Sequence, residues 1–410
     1  MELNVKQKKE FELQKETLLN GLVDIVSKDN FEEKLKKSII SNDPLKIKFG
    51  LDPTAPDVHL GHTVVINKLK QFQDFGHQVQ IIIGDFTGKI GDPSDREATR
   101  KQLTDQEVIY NAKTYFDQIS KIIDKKNIDV FYNSKWLKKL DLEEILNISS
   151  SITLTRLLER KDFTNRFKNN KPIALHEFFY PLMQGYDSVA LECDIEIGGT
   201  DQLFNLLMGR HMQGHYNQQE QVVLTLPLLE GLDGVQKMSK SKNNYVGIDE
   251  SPKDMYGKLM SYPDYLMEKY INLVTHFILE EKNNLIKTIK DSKIHPKTAK
   301  MQIAKHIVSL YHGEEKAEIA EQEFNNVFGK NALPEDIEEL ELVEGVYDTY
   351  ELLTEKLFLF NSKSEARRMV ANGGVKINGV KLLKDEKSIN IEDGMIVQVG
   401  KRKFVKVKFA

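Results

Sequence analysis

A single cysteine, Cys193, stands in 410 residues. It has no partner within the chain for a disulfide, and no Cys cluster has zinc spacing, so disulfide scaffolds and zinc ribbons are excluded and a reducing cytoplasm is expected. No apolar run approaches the ~18 residues of a membrane span. The opening MELNVKQKKEFELQKE lacks the apolar centre of a secretory signal and reads as a charged amphipathic helix. Neither secretion nor membrane insertion is expected. No internal repeat of solenoid length recurs.

What is present is the composition of a globular protein, 40% hydrophobic and 29% charged. Single cores stop growing near roughly 250 to 300 residues, so two or three domains are expected. The net charge of −4 is unevenly distributed. Residues 351–410 hold 13 Lys and Arg against 7 Asp and Glu, a tail of +6 that leaves −10 for the body. An acidic body with a basic end suggests a polyanionic partner gripped at that end.

KIKFGLD, then HLGHTVVINKLKQFQDFGH, then QVQIIIGDF read as strand, loop, helix and strand. The helix carries Val64, Val65, Leu69, Phe72 and Phe75 on one stripe and stops at Gly76. Such a βαβ unit implies a parallel sheet with a right-handed crossover, whose ligands collect beyond the carboxyl ends of the strands. The loops at that edge, GLDPTAPDVHLGH and GDFTGKIGDPSDREATR, match neither the G-x-G-x-x-G fingerprint nor the P-loop, which disfavours an ordinary dehydrogenase or P-loop enzyme.

Residues from about 104 to 180 read as a helical insertion, strand signals return at VVLTLPLLEGL, and residues 248–333 read as helical again. Pro334–Gly345, with six acidic residues in twelve, reads as part of a linker over 334–346. In 347–410, Ser362 and Glu365 have capping-box spacing, and Asn378-Gly379 between alternating apolar residues signals a hairpin. This is a small helix-plus-sheet module displaying Arg367, Arg368, Lys376 and Lys381.

Two constellations carry chemistry. His59 and His62 open a helix, where free N–H groups and the helix dipole already favour an anion. Zinc ligation is the competing reading of that spacing, although no third ligand is evident. Lys237 and Lys240, in QKMSKSKNN, are paired point charges suited to a pyrophosphate during displacement at an adjacent phosphorus.

Taken together, HLGH and KMSKS resemble the two signatures of class I aminoacyl-tRNA synthetases. GLDPTAPDVHLGH, GDPSDREATR, YPLMQGYDSVAL and GGTDQLFNLL follow in the order of the bacterial tyrosyl branch of that family, and the tail resembles its S4-like RNA-binding domain. The resemblance covers nearly the whole chain. It implies a Rossmann-like parallel-sheet α/β catalytic domain over 1–247 with the helical insertion, an all-α anticodon-binding domain over 248–333, and an α+β S4-like domain over 347–410.

The resemblance also implies roles. Asp187 would accept the phenolic hydroxyl of tyrosine, while Asp92, Tyr180 and Gln184 would receive its ammonium and Gln202 would lie near its carboxylate. A buried acceptor rejects phenylalanine because it would be left unpartnered, a discrimination for which tyrosyl-tRNA synthetases are themselves the reference case. Asp52 and Thr54 would flank ATP, Asp201 would bind its ribose, and Gly61, His59, His62, Lys237, Ser239, Lys240 and Ser241 would surround its phosphates. Thr54, His59, His62, Lys237 and Lys240 would be catalytic, with Arg96 and Arg100 assisting pyrophosphate. Arg367, Arg368, Lys376 and Lys381 would bind RNA.

One departure stands out. Many bacterial relatives place a tyrosine shortly before DPTA as a second partner for the substrate hydroxyl, whereas Lys48, Phe49 and Leu51 occupy the nearby positions here. The implied substrates are L-tyrosine, ATP and tRNA, with Mg2+ accompanying ATP and a homodimer formed through the insertion. The rival readings are a tryptophanyl enzyme, a noncatalytic RNA-binding protein on the same scaffold, and a small-molecule nucleotidyltransferase.

Overall fold

The computed structural model describes residues 3–53, 57–92, 104–125, 128–329, 337–384, 386–400 and 403–409. They divide into two compact units, Met1–Ala317 and Glu318–Ala410. Among the described residues, no helix is long and apolar enough to cross a membrane.

The first unit is built on six strands: β1 Asp24–Val26, β2 Lys46–Leu51, β3 Gln78–Ile83, β4 Ile128–Tyr132, β5 Ile195–Gly199 and β6 Val222–Leu226. Their order is β1-β6-β5-β2-β3-β4. Only β1 runs antiparallel to its neighbour. Val79, Ile81, Ile82 and Ile83 of β3 are all buried, as is every residue of β6, which is the pattern of strands covered on both faces. From β2 the chain passes to β3 on one side, and β5 later returns on the other side. That reversal opens a crevice beyond the carboxyl ends of β2 and β5.

The helix Leu60–Asp74 crosses between β2 and β3, burying Leu60, Val64, Val65, Leu69 and Phe72 on the stripe expected from its spacing. The helices Phe179–Leu191 and Leu203–His215 flank β5 in sequence. After β6 and the lysine loop, helices including Met267–Val274 and Pro296–His312 belong to the same unit. There His276 meets Asn67 of the Leu60–Asp74 helix at 3.1 Å.

Two expectations are corrected. The insertion is not wholly helical: Ile128–Tyr132 forms the edge strand β4, parallel to β3, because its apolar residues extend the sheet. Nor is 334–346 simply a linker. Glu338–Leu342 forms β7, parallel to β13 (Lys403–Phe409), with Leu340 and Leu342 packed on the core and Glu339 paired to Lys406 and Lys408.

In the second unit, β7 joins β9 Val375–Ile377, β10 Val380–Lys381, β12 Ile396–Val399 and β13 Lys403–Phe409 in the order β10-β9-β12-β13-β7. β8 Val346–Asp348 pairs with β11 Ser388–Asn390. The helix Lys363–Ala371 buries Ala366 and Val370 against Val397, Val405 and Val407. Ser362 caps it by accepting from the Glu365 N–H. The Glu365 carboxylate takes the Asn361 N–H, one residue before the position a full capping box would use. Asn378 and Gly379, at φ 47° and 84°, make the tight turn expected between β9 and β10.

Candidate active site

The crevice at the topological reversal holds a cavity of about 340 Å³. Its lining brings together Asp52, His59, Gly61, His62, Asp92, Tyr180, Gln184, Asp187, Asp201, Gln202, Lys237 and Ser239. Segments nearly 190 positions apart in sequence therefore converge there. Thr54, Arg96 and Arg100 lie outside the described residues.

Asp187 lies deep in the cavity, 3% exposed, on the Phe179–Leu191 helix. Its carboxylate accepts from Trp136 Nε1 at 2.7 Å and from Asn133 Nδ2 at 3.3 Å. Burial pushes its pKa up to about 7, while Lys48 and the two donors pull it back. Asn133 and Trp136 were not singled out in the sequence, since they follow β4 in the stretch read as helical.

Near Asp187, Lys48 of β2 stands shortly before the DPTA segment. It is fully buried and pairs with Glu196 of β5 at 3.0 Å. Its ammonium also donates to the Gln184 carbonyl at 2.9 Å and to Ser188 Oγ at 2.7 Å. Burial is the largest single influence and opposes the charge on Lys48, but Glu196 together with Cys193 and Asp187 outweighs it and the pKa is raised. Gln184 donates its own amide to Glu196 at 3.1 Å. The pair thus ties the two strands at the reversal to the helix that carries Gln184 and Asp187.

Along the wall, Asp52 accepts from Tyr180 Oη at 3.0 Å and from Thr87 Oγ1 at 2.8 Å. Gly84 makes this possible, because a Cβ there would stand 2.0 Å from Asp52 Oδ1. Asp92 accepts from Gln202 Nε2 at 2.9 Å and from Arg160 at 3.1 Å. Arg160, itself held by Asp162 at 2.7 Å and Asn205 at 3.0 Å, is a further residue the sequence reading missed. In LLERKDF it looks like one surface charge among several. Asp201 is paired with Lys237 at 2.7 Å.

The mouth of the cavity is lined by His59, Gly61 and His62 of the first signature and by Lys237, Met238 and Ser239 of the second, while Lys240 and Ser241 follow in the chain without lining it. The rings of His59 and His62 stack at 3.7 Å, and the His59 N–H donates to His62 Nδ1 at 3.3 Å. Burial and then neighbouring charge, including that of Lys240, hold both imidazoles neutral, His62 at about 3. His59 Nδ1 is buried with no partner among the described residues. These are neutral hydrogen-bonding groups, so positive charge here comes from the lysines. Stacked rings do not converge on a metal, and among the described residues no group of three His, Cys, Asp or Glu is placed to hold one.

Lys240 lies 5.4 Å over the Tyr115 ring and 3.9 Å from Asp57. Its ammonium has no hydrogen-bond partner among the described residues, and burial lowers its pKa to about 8. Ser239 and Ser241 place their hydroxyls 2.9 Å apart. The loop is latched by Asn244, which accepts from the Ser239 N–H at 2.8 Å and donates to Asp233 at 2.9 Å. Gly61 leaves room for the His59 ring, whose Cε1 and Nδ1 would each lie 3.0 Å from an added Cβ.

Residues 41–329 match the family described as tRNA synthetases class I (W and Y). A tyrosine–tRNA ligase of Moorella thermoacetica is 51% identical over 95% of this chain and 94% of its own. One of Desulfotalea psychrophila is 50% identical over 97% and 98%. Among solved structures, a C-terminally truncated mitochondrial tyrosyl-tRNA synthetase of Aspergillus nidulans shares the fold, with TM-score 0.63 at 21% identity over 79% of this chain and 99% of that one. With both signatures at one cavity mouth and this extent of likeness, the chain belongs to the class I tRNA synthetases of the tryptophan and tyrosine family.

Proposed function

We infer that the protein is a tyrosine–tRNA ligase that activates L-tyrosine with ATP and transfers it to the 3′ end of tRNA. The observation that carries this reading is a buried carboxylate, Asp187, deep in a cavity whose mouth is lined by both signatures. Asp187 accepts the phenolic O–H, while Asp92, Tyr180 and Gln184 surround the substrate ammonium and Gln202 its carboxylate. Asp52 flanks the nucleotide and Asp201 takes the ribose, so Lys237 must leave Asp201 as the nucleotide enters.

The tyrosine carboxylate attacks the α-phosphorus, forming the C–O–P bond as the bond to the β-phosphate oxygen breaks. Lys237 and Lys240 meet the charge growing on pyrophosphate, while the imidazoles of His59 and His62, with Thr54, Gly61, Ser239 and Ser241, hydrogen-bond and shape the phosphate site. Arg96 and Arg100 assist the departing pyrophosphate. Catalysis comes from orientation and from charges that fit the transition state better than the ground state. Mg2+ arrives on the ATP phosphates, as that ion commonly does. The terminal adenosine hydroxyl of tRNA then attacks the activated carbonyl, and AMP departs.

Arg367, Arg368 and Lys381, all exposed, and the half-buried Lys376 suit RNA phosphates. The helices of 248–333 serve the anticodon end. A homodimer through the insertion is supported by the exposed Leu142, Leu146, Leu154 and Phe167. A cytoplasmic location suits a protein with one buried thiol.

ATP–pyrophosphate exchange against each of the twenty amino acids tests the reading. Exchange with tyrosine alone is expected; exchange with tryptophan instead, or with none, refutes it.

A further inference from the structure

In the C-terminal unit, Phe358 is 72% exposed and sits at φ +47°. The other described non-glycine residues with positive φ are Asn, Ser and Glu, so Phe358 alone among them is apolar. Its place in the chain explains the conformation. Leu352–Lys356 form a π-helical turn, and the Leu359 N–H closes it on the Leu353 carbonyl at 2.9 Å. A helix end closed in this way needs one left-handed residue, for which glycine is preferred. Leu357 and Leu359 are buried, which turns the ring between them outward. Glycine at this position would relieve a bulky residue of left-handed strain and remove an exposed ring from water.

The surroundings of the ring are basic. Lys403 Nζ donates to the carbonyls of Phe358 and Leu359 at 3.3 and 3.1 Å. Lys403 opens β13 opposite Val399 of β12, which in turn lies opposite Val375 of β9. At that same sheet end, Gly400 donates to the Gly374 carbonyl at 2.7 Å. The Lys381 ammonium lies beside Gly373, 3.6 Å from where its Cβ would be. The exposed ring therefore stands on a residue whose carbonyl holds the Lys403 ammonium, at the sheet end that also carries the Lys381 ammonium.

We propose that Phe358 is a stacking platform for an unpaired base of RNA, with Lys381 and Lys403 set for the flanking phosphates. The proposal rests on the RNA-binding reading of this unit and gives that surface a base contact in addition to charge. Unpaired bases are held by stacking on exposed aromatic rings, and each such contact changes affinity by roughly 5- to 150-fold. The positive charge around the ring favours a polyanion over an apolar protein surface.

Filter binding of the full-length protein to a tRNA(Tyr) transcript, with thermal melting of the same samples, tests this. Phe358→Gly is expected to raise Tm while weakening binding roughly 5-fold or more, with the salt dependence of affinity unchanged because no phosphate contact is lost. Phe358→Trp is expected to retain affinity. A ring with only a structural role would move stability without moving affinity. Wild-type affinity in Phe358→Gly, alongside weakened binding in the Arg367→Ala/Arg368→Ala variant, overturns the stacking role and leaves the RNA surface standing. Wild-type affinity in both variants overturns the RNA-binding reading and the proposal together.

Discussion

The deep part of the cavity and its mouth are made differently. In the depth, Asp187, Lys48 and Glu196 are buried and each makes several short contacts to partners on different elements. At the mouth, Lys237 is paired with Asp201, and Lys240, which opens the short 3-10 turn Lys240–Lys242, has an ammonium with no hydrogen-bond partner among the described residues. Selecting a substrate calls for groups fixed before it arrives. Neutralising a leaving pyrophosphate calls for charges free to follow it. The contrast predicts that damage in the depth appears as lost stability or selectivity, and damage at the mouth as lost rate.

The largest effect is expected from Lys48→Met, which strands Glu196 as a buried charge and should destabilise the fold by about 3–5 kcal/mol. Denaturant unfolding measures it, and the double variant Lys48→Met/Glu196→Gln should recover most of the loss. An equal loss in the double variant would break the pairing argument. Next, Lys240→Ala should slow adenylate formation about 100-fold or more while leaving the tyrosine Kd nearly unchanged, as rapid-quench and equilibrium dialysis together would show.

A smaller effect follows from the Asp187 carboxyl, lifted to about 7. The anion is the better acceptor for a phenolic O–H, and its fraction rises with pH through that value. Tyrosine kcat/KM should therefore fall as pH drops below about 7, and in Trp136→Phe the fall should begin at higher pH, since a donor that favours the anion is gone. An unshifted profile would deny Trp136 that influence. The smallest effect is expected from a chain ending at Gly329, ahead of β7. It should keep exchange within about twofold while charging tRNA poorly, because the cavity lies in the first unit and no described residue beyond 329 lines it.

Much of this was legible because it is local. The stripe of Leu60–Asp74, the Asn378-Gly379 turn and both signatures are spacings within a few residues. The support of the site was not legible, because it comes from distant partners. Trp136 and Asn133 reach Asp187 across 51 and 54 positions, and Lys48 meets Ser188 across 140. β7 was hidden by its glutamates, although the alternation in EELEL that buries Leu340 and Leu342 is a strand signal. Nothing in LFLF says which of its two rings turns outward, so the exposure of Phe358 is not legible in the sequence.

The division between selecting depth and catalytic mouth is tested most directly by the ratio of kcat/KM for tyrosine over phenylalanine in wild type and in Lys240→Ala. Both rates should fall by about 100-fold or more and the ratio should hold if, as proposed, the lysine acts on pyrophosphate and not on the side chain. A ratio that collapses with the rate would mean that the mouth also selects, and would contradict the account.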